Sequence, residues 1–361
     1  CMAKMRILLV FAACLSSGKG LGLRTHLNRQ RTVLVSPRFA PQQPSSLSTS
    51  SSTSTSAGSQ LLTKEQGKDA LKYCENLVRR HENEQFLCAM LAPEGTYAVL
   101  ITLRAFNIET ASVRESTTNQ TTGQIRLQWW RDALDRLYAG DETQDLLKQP
   151  VVAMLHILLR RYRLPKELFL DVISARERDL ETTEAPQSIT QLIDYSEKTQ
   201  GSLLDLALHT LIVHDHDYTA AFEAARHCGR CIGLSTLLRA TPFVAYRGLT
   251  YLPNDLLMDV GENVGTLLQA LQDKKLTPPL KAVIHEVAKT ALNELESASS
   301  LLKKCPRDVN KIMLPVLPHK HYLQTLNEYD YEICHPKVIE PSGFAPLSLR
   351  LHLRWAAWRG L

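Results

Sequence analysis

From about residue 61 to its last residue, the chain repeats apolar side chains every three to four positions, which is the period of an α-helix. One such helix face, in TKEQGKDALKYCENLVRRHE, consists of Leu71, Cys74, Leu77 and Val78. A second, in GQIRLQWWRDALDRLY, consists of Leu127, Trp130, Leu134 and Leu137. Turns with Gly, Pro or Asp separate these segments, and the chain lacks the repeat of roughly 20 to 50 residues that a solenoid requires. We predict an all-α fold, a single large helical bundle around a central space.

The first 64 residues differ in composition from the rest of the chain. They contain eight Lys and Arg residues and no Asp or Glu, and they include the Ser/Thr run SSLSTSSSTSTSAGS, which cannot form an apolar core. Such a composition is typical of a mitochondrial or plastid transit peptide, whereas ILLVFAACL also fits the apolar part of a secretory signal. We expect a targeting peptide over residues 1–40, a disordered Ser/Thr-rich linker over 41–62 and one all-α domain over 63–361.

The formal net charge of +5 would suggest a nucleic-acid partner if it belonged to the folded domain. Without the leader, however, 34 Lys and Arg residues stand against 37 Asp and Glu residues. We therefore expect no nucleic-acid binding. After the leader, no apolar run approaches the roughly 20 residues that a membrane span needs. The sequence predicts a domain that is soluble or lies on a membrane surface.

Six cysteines are scattered beyond the leader, as is usual in a reducing compartment: Cys74, Cys88, Cys228, Cys231, Cys305 and Cys334. The CxxC pair beside His227 has no second pair at zinc-binding spacing, and we interpret it as small buried residues on a helix face. We interpret His319 and His321, in HKH, as solvated loop residues.

Five segments occur in the order in which the squalene/phytoene synthase family carries them: LRAFNIETASVREST, GQIRLQWWRDALD, DYSEKTQGSLLDLAL, GLSTLLRATPFVAYRGLTYLPND and LSLRLHLRWAAW. Together they span about residues 65–361. Through AFNIETASVRE, IRLQWW and LLRATPF, the chain most resembles the divergent mitochondrial branch of that family, whose members are assembly factors for respiratory complex I. The resemblance implies the isoprenoid-synthase type of helical bundle and a mitochondrial location.

Active members of this family join two prenyl diphosphates, and Asp clusters on two facing helices hold the Mg²⁺ ions that bridge the diphosphate. The resemblance places the first cluster, Asp-Asp-x-x-Asp, on Ala111, Ser112 and Glu115, so that only Glu115 keeps a carboxylate. Glu109 cannot replace the missing partner, because six residues separate it from Glu115 and the two do not share a helix face.

The family's second cluster, Asn-x-x-Arg-Asp-x-x-Glu-Asp, falls on Thr236, Arg239, Ala240, Phe243 and Val244. The Arg of this pattern is present as Arg239, whereas its three acidic positions carry Ala240, Phe243 and Val244. Pro242 adds to the departure, because proline deletes one helical hydrogen bond and favours extended geometry in the residue before it.

The Tyr-containing substrate-wall motif of the family falls on Tyr195, Lys198, Thr199 and Gly201, with Lys198 in the place of its second Tyr. Farther on, Asp255 and Asp259 do stand one helical turn apart, but at a point where the family has no metal ligands. We interpret PND as a helix start with Asp as the cap, and a metal site that has moved to this pair is the alternative.

We therefore expect no catalytic residue, no metal and no cofactor. A vestigial pocket would be bordered by Ala111, Ser112, Glu115, Tyr195, Lys198, Arg239, Ala240 and Val244. This pocket is either partly closed or holds an isoprenoid or lipid without reacting it. The resemblance implies a non-catalytic assembly factor that contacts complex I subunits or assembly intermediates. The alternatives are a prenyl-diphosphate transferase with unusual ligands such as Glu115, Asp255 and Asp259, and an isoprenoid- or lipid-binding module.

The C-terminal segment LSLRLHLRWAAWRGL predicts an amphipathic helix without acids. One side carries Leu347, Leu351, Trp355 and Trp358, and the rest includes Arg350, Arg354 and Arg359. Such a helix either lies at a lipid headgroup surface or docks on the bundle through its Leu and Trp side chains. We expect peripheral attachment to the matrix side of the inner mitochondrial membrane. A plastid or secretory destination is the alternative reading of the leader.

Overall fold

The computed structural model describes residues 62–117, 119–141, 143–182, 184–211, 218–339 and 346–361, and these residues form helices and turns without a strand. In chain order the helices are α1 (Lys64–His81), α2 (Asn83–Ala89), α3 (Tyr97–Ala111), α4 (Val113–Ser116), α5 (Gln120–Tyr138), α6 (Gln144–Leu147), α7 (Pro150–Arg161), α8 (Lys166–Glu181), α9 (Ile189–Ser196), α10 (Ser202–Leu208), α11 (Thr219–Val244), α12 (Asn254–Asp259), α13 (Val264–Gln272), α14 (Pro278–Leu302), α15 (Arg307–Ile312), α16 (Val316–Glu328), α17 (Pro336–Ile339) and α18 (Leu347–Arg359). A π-helical turn, Glu197–Gly201, joins α9 to α10, and a 3₁₀ turn, Ala245–Arg247, follows α11. The predicted all-α bundle is confirmed. The predicted targeting peptide and, except for Leu62, the predicted linker lie outside the described residues.

Local sequence signals account for where the helices begin. Thr63 caps α1 through a capping box, in which its hydroxyl accepts from the amide of Gln66 and the Gln66 side chain accepts from the amide of Thr63. Thr277 caps α14, which begins with two prolines that fit the first helical turn. The two apolar faces predicted for α1 and α5 turn inward, and every predicted residue of the α5 face is buried.

α11 is the central helix of the bundle, and it packs against α14, α16 and the α9–α10 segment. Gly229 and Gly233, one turn apart on α11, let it approach that segment at backbone contact distance. A Cβ atom on Gly229 would lie 2.3 Å from the Cα of Gly201, and one on Gly233 would lie 2.2 Å from the Cβ of Ser196. The crossing of α11 over the π-helical turn therefore depends on two residues without side chains.

An aromatic cluster joins α3, α5 and α8. Phe106 makes edge-to-face contacts with Trp130 and Phe169, with ring centroids 5.4 Å apart in both pairs. Phe106 and Phe169 are fully buried. These rings belong to one large apolar core that extends through most of the helices.

A smaller second core lies beneath α18. Leu349, Leu353 and Ala356 of α18 pack against Cys88, Leu314 and Leu317. The C-terminal helix therefore docks on the bundle, but through Leu349 and Leu353. The predicted docking side is wrong, because its side chains are exposed: Leu347, Leu351, Trp355 and Trp358. No helix in the described part of the chain combines the length and the apolarity needed to cross a membrane.

Pro242 was expected to favour extended geometry in the residue before it, and the structure shows that this expectation is wrong. The helix α11 continues through Pro242 to Val244, and Thr241 stays helical instead of extended. Thr241 and Pro242 are buried, and the Thr241 hydroxyl donates to the carbonyl oxygen of Leu237 at 2.9 Å. Tertiary packing outweighs the local preference here, and the proline sits in the last turn, where only two helical residues follow it.

Candidate functional site

A small cavity lies between helices of the bundle. The cavity between α2, α3, α10 and α11 has a volume of about 20 Å³. Its walls combine apolar side chains, such as Leu103, Leu204 and Ile232, with the polar side chains of Arg104 and Gln200. A space of this size holds about one water molecule.

A chain of polar side chains passes through the interior beside this cavity. Glu82, between α1 and α2, accepts from Arg104 of α3 at 2.5 Å and from the Asn107 amide at 3.1 Å. Arg104 donates onward to the Gln200 side chain at 2.7 Å. Arg176 of α8 donates to the Asn107 side-chain oxygen at 3.0 Å. The interior thus contains an ion pair and amides that already satisfy one another.

Arg176 connects this network to the predicted pocket, because it also donates to the Tyr195 hydroxyl. Burial raises the pKa of Tyr195 to about 12, against the lowering effect of the Arg176 charge. The phenol therefore stays neutral at physiological pH. Arg176 makes no ion pair with a carboxylate in the described residues, and its buried Nε has no hydrogen-bond partner there.

The residues at the first predicted cluster provide a single carboxylate in a cationic setting. Ala111 ends α3, and the Ser112 hydroxyl donates to the carbonyl oxygen of Glu109 at 2.9 Å. Glu115 of α4 is exposed. Desolvation by the neighbouring helices raises the pKa of Glu115, although the charges of Arg247, Arg176 and Arg114 act to lower it. These cations would repel a Mg²⁺ ion at Glu115.

The residues at the second predicted cluster form no metal-binding group and make other contacts within the bundle. Arg239 pairs with Glu84 at 3.4 Å, and its guanidinium lies 4.6 Å from the centre of the Tyr322 ring. Thr236 is exposed, and its hydroxyl donates to a backbone carbonyl of its own helix. The other three positions are apolar and half-buried or buried: Ala240, Phe243 and Val244.

The substrate-wall positions separate in space. Lys198 pairs with Asp194 at 2.9 Å, one helical turn earlier on the same segment. The Thr199 hydroxyl donates to the carbonyl oxygen of Tyr195 at 2.8 Å, and Gly201 lies against α11. Of the predicted pocket residues, Glu115 and Tyr195 share the Arg114–Arg176 surroundings, whereas Lys198 and Arg239 belong to other ion pairs.

Groups of three or more His, Cys, Asp or Glu side chains that could hold a metal ion are absent from the described part of the chain. Asp255 lies in the first turn of α12 behind the N-cap Pro253, so the interpretation of Asp as the cap is wrong. Cys228 and Cys231 are fully buried and free, as expected. Burial raises the pKa of Cys231 to about 12, so the free thiol stays protonated at neutral pH.

The interpretation of His319 and His321 as solvated loop residues is also wrong, because both lie on α16, where His319 is buried and His321 half-buried. The Gln85 amide approaches the Nε2 of His319 at 3.2 Å, and the Nδ1 of His319 lies 2.9 Å from the Ser235 hydroxyl. Since Ser235 donates to the carbonyl oxygen of Cys231, a neutral ring with a proton on Nδ1 satisfies all three groups. Burial, followed by the charges of Arg239 and Arg104, lowers the pKa of His319 well below its usual value.

A larger groove of about 580 Å³ lies on the flank of the bundle, between the end of α8, α9 and residues 249–251. Arg114 and Asp179, which form an ion pair, lie on its wall with Tyr195 and Tyr251. Leu237 of α11 also contributes to the wall. This groove was not predicted from the sequence, because its walls come from four separate segments.

The helical bundle belongs to a known class of protein. The squalene/phytoene synthase family model matches residues 78–357, and the chain belongs to this family. Over 291 residues it is 33% identical to the NADH dehydrogenase (ubiquinone) complex I, assembly factor 6 of Rattus norvegicus, covering 81% of this chain and 83% of that protein. The Homo sapiens protein of the same name is 31% identical over 287 residues, covering 80% and 81%. The predicted resemblance is confirmed.

The solved structures show the same fold. The crystal structure of a dehydrosqualene synthase in complex with ligand matches with a TM-score of 0.68 and 17% sequence identity. The match covers 81% of this chain and 97% of that chain.

Proposed function

We propose that this protein is a non-catalytic assembly factor for mitochondrial respiratory complex I, built on a synthase fold whose Asp-rich metal sites have been lost. The observation that carries the non-catalytic part is that Glu115 is the one carboxylate at the matched positions of the two family clusters. The cavity between α2, α3, α10 and α11, of about 20 Å³, is also smaller than the roughly 300 Å³ or more usual for a small-molecule pocket. The names of the relatives from rat and human support the assembly role.

Electrostatics supports the loss of metal chemistry. Mg²⁺ prefers carboxylate, carbonyl and water oxygens, and it acts in such reactions by taking up charge on the departing diphosphate. Glu115 is the one carboxylate at the matched positions, and it lies in the field of Arg247, Arg176 and Arg114. A lone carboxylate among positively charged side chains is a poor site for a divalent cation.

The proposed site of action is the matrix side of the inner mitochondrial membrane, reached through the acid-free leader. There the protein contacts complex I subunits or assembly intermediates, and it contacts the membrane peripherally. The assembly-factor names of the relatives support this location.

Gene deletion followed by complementation tests the proposal. Deletion should lower the amount of assembled complex I and leave subcomplexes, as seen on native gels. Re-expression of the wild-type protein or of the Glu115→Gln variant should restore assembly equally, because no catalytic carboxylate is involved. Intact complex I after deletion would contradict the assembly role, and failure of Glu115→Gln alone would contradict the non-catalytic role.

The flank groove favours a second candidate function, the binding of an isoprenoid or lipid without catalysis. Its volume of about 580 Å³ lies in the range of small-molecule pockets, and its wall combines Leu192 and Leu237 with Arg114 and Tyr195. A fluorescent prenyl alcohol should then bind to the purified protein, and Leu237→Trp should block it. Binding that is unaffected by this substitution would count against the groove.

A further inference from the structure

The helix α18 presents a second apolar face that the bundle does not cover. Its inner face holds Leu349, Leu353 and Ala356 against the second core. The outer stripe, as we name it, consists of Leu347, Leu351, Trp355 and Trp358, which are 72%, 58%, 50% and 69% exposed. The spacing of four, four and three residues places these side chains on one side of the helix. Four of the nine exposed large apolar side chains in the described residues therefore lie on a single thirteen-residue helix.

Cations accompany the outer stripe on the same helix. Arg354 and Arg359 are exposed, and the Arg359 guanidinium lies 5.4 Å from the centre of the Trp355 ring. α18 contains no Asp or Glu. Its exposed side therefore combines indole rings, leucines and positive charge.

The helices packed against α18 do not reverse this charge. Partial burial, followed by the charges of Lys320 and His321 on α16, lowers the pKa of His352 on α18. On α15, the carboxylate of Asp308 is paired with Lys311 at 3.0 Å. The neighbourhood of the outer stripe is thus positive or neutral.

This combination matches a lipid surface with negative headgroups. Indole rings favour the boundary between headgroups and acyl chains, and guanidiniums reach lipid phosphates while their stems lie on apolar groups. A helix of thirteen residues is about 20 Å long and lies along such a surface. We infer that the outer stripe and Arg354 and Arg359 bind the headgroup surface of an anionic bilayer. This inference deepens the peripheral membrane contact of the proposed function and rests on that part of it.

Vesicle flotation with the purified full chain tests the inference. The wild-type protein should float with phosphatidylcholine vesicles that contain phosphatidylglycerol, and less with phosphatidylcholine alone. The double variant Trp355→Ser/Trp358→Ser should lose about tenfold or more of this binding, because it removes two interfacial rings. Neutralising Arg354 and Arg359 to Gln should weaken binding to the anionic vesicles by about fivefold per charge.

The matched control is Ile125→Ser, which removes a 65% exposed apolar side chain from α5 and should leave flotation unchanged. Unfolding temperatures of the variants show whether they fold, and Leu351→Lys replaces the Trp variant if the latter is unstable. The inference is overturned if the wild-type protein does not float with anionic vesicles, or if folded Trp and Leu351 variants float as well as it does. Co-migration of the variants with complex I subcomplexes on native gels is the second readout. If the wild-type protein does not float and the Trp variant loses this co-migration, the outer stripe binds a protein partner and the inference is overturned. The flotation assay contains no complex I, so a wild-type protein that floats supports the inference even if gene deletion leaves complex I intact, a result that would contradict only the assembly role.

Discussion

At the scale of single residues, Glu82 holds the interior network together. It accepts from Arg104 at 2.5 Å and from Asn107 at 3.1 Å, and it is mostly shielded from solvent. Glu82→Ala would leave both donors without this acceptor, so we expect a loss of about 2–4 kcal/mol in the free energy of unfolding, measured with urea. Asp145 is the matched control, because its ion pair with Lys148 is exposed. Asp145→Ala should change stability by less than about 0.5 kcal/mol, and equal losses in the two variants would contradict the importance of the network.

Asp205 on α10 makes stability depend on pH. Burial raises the pKa of its carboxyl to about 7, with Arg226 lowering it and Glu197 raising it. The folded pKa lies above the unfolded value of about 3.9, so the folded state binds more protons between these values. The stability contributed by this group is therefore complete below about pH 4 and is lost as the pH rises through about 7. Relative to Asp205→Asn, the wild-type protein should lose about 1–2 kcal/mol between pH 5 and pH 8 in urea unfolding. A pH-independent difference would show that Asp205 titrates normally.

The sequence predicted which cluster positions lack a carboxylate, but it did not predict the contacts that the side chains around these positions make. Ala111, Ser112 and Ala240 could be assigned because the motif fixes their spacing. Arg104 and Asn107 were visible as polar residues three apart in an otherwise apolar segment, the spacing of one helix face. Arg176, which lies 69 residues after Asn107, could not be connected to it without the packing of α8 on α3.

At the scale of elements, the crossing of α11 over the α9–α10 segment sets the shape of the core. A Cβ atom at Gly233 would lie 2.2 Å from the Ser196 Cβ and 2.6 Å from its Cα, so the backbone itself would have to move. We expect Gly233→Ala to lower the free energy of unfolding by about 1–3 kcal/mol in denaturant titration. In Gly67→Ala, the new methyl group meets only the flexible end of Ile157 at 3.2 Å, and helix propensity favours alanine by about 1 kcal/mol. The free energy of unfolding of Gly67→Ala should therefore equal or exceed that of the wild-type protein. An unchanged free energy of unfolding in Gly233→Ala would contradict the close crossing.

The apolar periodicity of the sequence predicted that the elements are helices, but it did not predict irregular turns within them. The apolar faces of α1 and α5 predicted those helices directly. The π-helical turn Glu197–Gly201 was not predicted, since one inserted residue barely changes a helical pattern. The pair Gly229 and Gly233 was a legible signal of close approach, because glycine in a helix interior is otherwise unfavourable.

At the scale of the whole molecule, the bundle was predictable from the sequence, whereas the choice between a partly closed pocket and one that holds a ligand was not. A period of three to four residues over nearly 300 residues is compatible with few architectures, and the motifs then indicated one family. Whether the central space stays open depends on side chains from α2, α3, α10 and α11 meeting across it. The walls of this cavity bring together residues more than 100 positions apart, such as Leu100 and Ile232.

We propose that this bundle does not ionise a prenyl diphosphate. The most direct measurement is diphosphate release by the purified protein with farnesyl or geranylgeranyl diphosphate and Mg²⁺, with product analysis of the organic phase. We predict release no faster than in buffer alone, because Glu115 is the one carboxylate at the matched cluster positions. In addition, the described residues contain no group of three or more His, Cys, Asp or Glu side chains that could hold a metal ion. Enzyme-dependent release that Glu115→Gln or Asp255→Asn abolishes would contradict the account.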